Sequence, residues 1–158
     1  MTLENLLGIA LESVEADAAG IGRLLEAARR SLADAQLDGI SPEGRFDMAY
    51  KSIMQAANAA LQANGYRTLT SKPGHHQVMI QSLPRTIGLE TSTMVILDGL
   101  RKQRNGADYS GEPIGAVVAK ESIQLAEQLL ERVERWLKAN RPQLLLPPPA
   151  NTTPRRMG

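Results

Sequence analysis

Residues 100–109 read Leu100-Arg101-Lys102-Gln103-Arg104-Asn105-Gly106-Ala107-Asp108-Tyr109 and run into Ser110-Gly111-Glu112-Pro113. Just upstream, Met94, Ile96, Leu97 and Leu100 recur at helical spacing, which predicts a helix from Glu90 to about Asn105. A helix end needs only a few capping groups. This end carries arginines, an amide, a carboxylate and a phenol. The stretch is therefore expected to be either a buried polar staple between helices or a site that handles phosphate.

Spacing sharpens both alternatives. Leu97, Arg101 and Arg104 lie four and three residues apart and share a helix face; Leu100, Arg104 and Asp108 are spaced by four. Arg104 thus borders the apolar stripe and is expected to be half-buried. A half-buried guanidinium needs a partner, and Asp108 is the nearest candidate, fixing the loop into the last helix. Alternatively Arg101 and Arg104 bind phosphate, because a planar fork of donors suits its oxygens.

Outside this stretch the pattern is helical throughout. The chain has 158 residues, 42% of them hydrophobic and 22% charged, which fits one soluble domain. Aromatics are only 3%, so alanine and aliphatic side chains must build the core. Thr2 can cap a short helix carrying Leu3, Leu6, Leu7 and Ile9. A second helix is expected from about Asp17 to Ala35, with Ile21, Leu24, Leu25, Ala28 and Leu32 on one stripe. Ser41-Pro42-Glu43 is a helix start, with a capping hydroxyl, proline in the first turn and an acid at the positive dipole end. That helix runs to Asn64, where Gly65 can cap it. Residues 66–73 read as a polar loop. A fourth helix carries Val78, Met79, Ile80 and Leu83 and should break at Pro84. The last helix spans about Ile114 to Ala139. Its apolar set, from Val118 to Leu137, is wide enough to suggest a second subunit. The expectation is all-α, a bundle of five or six helices over residues 1–140, with a Pro-rich, disordered tail over 141–158.

Several functions are disfavoured. Lys plus Arg is 18 and Asp plus Glu is 17, a net charge of +1, which excludes a uniformly basic nucleic-acid coat. There is no cysteine, so no disulfide and no thiolate nucleophile; this fits a cytoplasmic protein. No apolar run approaches a membrane span, and no secretory signal or cofactor signature is visible.

His75 and His76 are the only histidines. Gly74-His75-His76-Gln77 opens the fourth helix, where backbone N–H groups favour anions. A histidine titrates near neutrality and can serve as a base. Metal binding is not expected, because neither histidine has a carboxylate four residues on. Tyr66, Arg67, Lys72, His75 and His76 together form a basic loop with one aromatic, a composition that can grip single-stranded nucleic acid.

The Leu-Arg-x-x-Arg-Asn-x-x-x-Tyr pattern, with the helix order around it, resembles the HEPN domains, and among them the subgroup with tyrosine in place of the motif histidine. The matching residues are Arg104, Asn105 and Tyr109, and the resemblance covers roughly residues 1–140. It implies a helical homodimer without cofactor or metal. It also implies metal-independent ribonuclease chemistry in a toxin–antitoxin or defence setting, in which Arg and His meet their symmetry mates across a cleft. The partners would be RNA or nucleotide, and a cognate antitoxin or a nucleotidyltransferase. On this reading Arg104, Asn105 and Tyr109 are the catalytic candidates, with Arg101, Asp108, His75 and His76 binding substrate. Tyr109 is a weak base at neutral pH, its unperturbed pKa lying near 10. The alternative is a non-catalytic dimeric interaction module in which the same residues are a structural staple.

Overall fold

In a computed structural model, which describes residues 2–71 and 73–145, helices form the body of the chain. A 3-10 turn at Leu3–Leu6 leads to strand β1, Leu11–Ser13. Helix α1 spans Ala18–Ala35 and α2 spans Pro42–Ala63. Strand β2, Tyr66–Thr68, follows, then α3, His75–Gln81, and α4, Leu83–Thr86. Helix α5 spans Thr91–Ser110 and α6 spans Ala116–Asn140, and a 3-10 turn at Pro142–Leu144 ends the described residues. The all-α bundle read from periodicity is the observed architecture, with one small antiparallel ribbon added.

Local chemistry explains the starts. The Asp17 carboxylate accepts from the backbone N–H groups of Ala19 and Gly20, satisfying donors that α1 cannot satisfy itself. Ser41 does the same for Gly44 at the head of α2, with Pro42 in the first turn. Helix α2 is the centre of the bundle. Ala49, Ala56, Ala57, Ala59, Ala60 and Ala63 are buried along it, and their small size lets α1 and α6 pack closely against it. The buried Ser52 hydroxyl donates to the Ala28 carbonyl of α1 at 2.8 Å.

Some expectations are corrected. The first helix is shorter than expected: after Leu6 the chain turns through Gly8, whose φ is +79°, and Leu11–Ser13 extends. The expected loop at 66–73 begins as a strand, pairing Leu11 with Thr68, Glu12 with Arg67 and Ser13 with Tyr66. Helix α5 passes through Asn105 and Gly106 and ends at Gly111, whose φ of +69° suits a left-handed cap. The polar stretch is thus the last turns of a helix, not the loop beyond it. The wide apolar set of α6 is largely taken up inside the chain: Leu129, Leu130, Val133 and Leu137 are buried, and Trp136 packs on the same core. The proline break occurs as expected, α3 stopping at Gln81 and α4 restarting with Pro84 in its first turn. Past Arg141, Leu144 packs into the core, while the Pro147-Pro148-Pro149 stretch and the rest of the expected tail lie outside the described residues.

Candidate functional site

Helices α2, α3 and α5 enclose a cleft of about 580 Å³ whose lining includes Tyr50, His75, His76 and Arg104. A smaller cleft of about 190 Å³ shares the same histidines and is lined also by Arg101 and Asn105. The structure therefore brings together five of the sequence candidates: Arg101, Arg104, Asn105, His75 and His76.

Tyr50 is the link between them. Its ring is buried in the core against Phe46, the Arg104 guanidinium lies 5.1 Å from its centroid, and its hydroxyl is 3.3 Å from His76 Nδ1. Burial pushes the Tyr50 pKa up to about 12 against the opposing pull of Arg104 and Arg101, so the phenol keeps its proton. Burial also lowers the His76 pKa below 6.5, helped by neighbouring His75, Arg104 and Arg101. His76 is therefore mainly neutral at pH 7. In the tautomer whose Nδ1–H donates to the Tyr50 oxygen, Nε2 keeps a free lone pair and can accept a proton. The His75 ring meets the His76 ring edge-on at 4.8 Å, and its Nδ1 is buried with no hydrogen-bond partner among the described residues. Asp47, beside Arg104, has its pKa raised chiefly by burial, with Asp108 and Glu43 adding to the shift and Arg104 opposing it.

The arginines differ. Arg101 donates from Nε to Asp98 Oδ1 at 2.7 Å, and Gln81 of α3 also donates to Asp98. The Asp98 and Arg101 side chains are only 10% and 15% exposed, so this pair is the more sheltered of the two arginine ion pairs here. Arg104 is freer: its ion pair among the described residues, with Asp108, is 4.0 Å long, with side chains 36% and 58% exposed. That pair lies within one helix, four residues apart, so it joins no two elements and is not the staple expected of it. Tyr109 is 90% exposed. It lies five residues beyond Arg104, about 140° further round the helix, and is not among the residues that line either cleft.

The expected basic loop is not one surface. Arg67 pairs with Glu12 across the ribbon at 2.9 Å, and Tyr66 lines a separate shallow cleft with Arg85. Lys72 lies outside the described residues. Among the described residues no cluster of His, Cys, Asp and Glu is placed to hold a metal ion, and no helix is long and apolar enough to cross a membrane.

Sequence reasoning missed Tyr50, Asp98, Gln81 and Asp47. Tyr50 falls on the apolar period of α2 and reads as core, which its ring is. Its hydroxyl is the part that carries chemistry, and only the fold reveals what it faces.

No match is found among curated proteins or among solved structures. A family model for the HEPN domain matches residues 21–136, a span that runs from the first turn of α1 to near the end of α6 and includes the cleft arginines. With that match over most of the chain and an all-helical bundle to go with it, the chain belongs to the HEPN domain family, a membership that points to an RNA-related or nuclease-like function.

Proposed function

We propose that the protein binds and cleaves RNA as a cytoplasmic homodimer, with the α2–α3–α5 cleft as its site. The observation that carries this reading is the meeting of a half-exposed arginine and a neutral histidine in one cleft, joined through Tyr50. His76 takes the proton of a ribose 2′-hydroxyl as its oxygen attacks the adjacent phosphorus. Arg104 steadies the charge of the phosphorane. The bond to the 5′-oxygen breaks and that oxygen takes up the proton held by His76, directly or through water, leaving a 2′,3′-cyclic phosphate and a 5′-hydroxyl. Asn105 and Arg101, which line the smaller cleft with the same histidines, orient the neighbouring phosphate.

His76 thereby fills the role left open by tyrosine at the motif position. The apolar side chains Val95 and Ile96 are exposed on α5, with Tyr109 exposed further along the helix, and a second copy docks along this helix. In that dimer Tyr109, with Asp108, reaches the partner's RNA. A toxin–antitoxin or defence setting, with an antitoxin or nucleotidyltransferase as partner, rests on the family alone.

The test is incubation of the purified chain and its Arg104→Ala variant with end-labelled RNA. The expected result is cyclic-phosphate fragments from the wild type, formed about 100-fold faster than from the variant. If both leave the RNA equally intact, the enzymatic reading fails. If both also bind it equally, the RNA reading fails with it.

A further inference from the structure

The cleft extends along α2 well past the Arg104–Tyr50 contact, and its far wall carries amides. Gln55 and Asn58 lie five and eight residues beyond Tyr50, a displacement of about 7–12 Å along the helix axis. A step of that size separates a nucleotide's phosphate from the edge of its base. We infer that this end of the cleft holds a guanine, read through its O6 and N7 acceptors by the side-chain amides of Gln55 and Asn58; the inference rests on the cleft being a ribonucleotide site.

The hydrogen-bonding pattern supports guanine. An unconstrained amide offers one donor group and one acceptor, which suits adenine N6 and N7. Here both carbonyl oxygens are engaged. Gln55 Oε1 accepts from the buried Ser31 hydroxyl at 2.9 Å, and Asn58 Oδ1 accepts from Gln62 Nε2 at 3.1 Å. The two NH2 groups are left as the amides' free donors, and Lys51 on the same wall adds a cation. A wall of donors matches a base edge with two adjacent acceptors. On the major-groove edge guanine has two acceptors, while adenine pairs its one acceptor with an amino donor. Met48, Met54 and Met79 supply apolar, polarisable surface for the ring faces, the sulfur–aromatic contact that methionine makes well. At about 580 Å³ the cleft is in the size range of small-molecule sites.

Conservative variants test this without disturbing the fold. Gln55→Glu and Asn58→Asp keep the acceptors for Ser31 and Gln62 but replace the donors with carboxylate oxygens. Calorimetric titration of the full chain with GMP, AMP, CMP and UMP gives the readout, taken as the ratio of affinities within each protein. For the wild type, GMP is expected to bind about tenfold more tightly than AMP. In the double variant that ratio should fall to near one. Arg104→Ala should weaken all four nucleotides in parallel and leave the ratio unchanged. A wild-type ratio near one, tighter binding of CMP or UMP, or a preference that survives in the double variant overturns the guanine assignment alone. Failure of every nucleotide to bind, or binding indifferent to Arg104→Ala, overturns the ribonucleotide reading and the inference with it.

Discussion

His76 and Arg104 are far apart in sequence, and each is ordinary alone; their pairing through Tyr50 sets the chemistry of the cleft. Because the folded-state pKa of His76 lies below its ordinary value of 6.5, the neutral ring's contribution to stability is full above that value. It is lost as the pH falls through the folded pKa. In the proposed mechanism the same protonation removes the base. Cleavage measured over roughly pH 5 to 8 should therefore show an acid limb with its midpoint below 6.5. In His76→Gln the limb should vanish and the remaining rate should be about 10²-fold lower or less. A midpoint above 6.5, or an unchanged limb in the variant, would remove His76 from the role of base. At this scale the sequence was informative about residue type and uninformative about pairing. Arginine, asparagine and histidine announce chemistry by their side chains, whereas tyrosine on an apolar period gives the same signal whether or not its oxygen is used.

Helices α3 and α5 are joined at the site by Asp98, which accepts from Arg101 on its own helix and from Gln81 on the neighbouring one. The Arg101 hydrogen bond holds the Asp98 carboxyl below its ordinary value of 3.8. Its contribution is thus complete above that value and lost as acid protonates it in the folded state. Asp98→Ala leaves a part-buried guanidinium without its partner, so a loss of about 2 kcal/mol in urea unfolding at neutral pH is expected. A loss no larger than an exposed ion pair gives, under about 1 kcal/mol, would show that the pair is not holding the helices. The elements themselves were largely legible. The Asp17 and Ser41 caps mark the starts of α1 and α2, and Pro84 marks the break between α3 and α4. The end of α5 was not, because two glycines compete for it. Gly106 follows Asn105 and looks like a stop, yet it continues the helix, and the left-handed cap falls on Gly111. The strands were invisible for a related reason: each is three residues long, too short to display an alternation.

For the molecule as a whole, the exposed apolar surface is where the proposed dimer would form. The broad stripe of α6 is used internally, while Val95 and Ile96 on α5 remain 58% and 54% exposed, and Tyr109 lies further along the same helix. If the dimer forms there, Ile96→Asp should convert it to a monomer in light scattering, with the helical circular dichroism unchanged. A wild type that is already monomeric, or a variant that stays dimeric, would move the interface elsewhere. The small ribbon has its own consequence at this scale. Glu12 and Arg67 are paired although 55 positions separate them, and everything between is mostly the α1–α2 hairpin. Joining β1 to β2 therefore closes a long loop, and closure entropy grows only slowly with length. The hairpin can form from local contacts first, with the ribbon fastening it afterwards, much as a clasp holds a strap already folded. Cutting the chain after Ser13 would leave β2 without its neighbour and expose an edge, so a shortened version lacking those residues should be the aggregation-prone one.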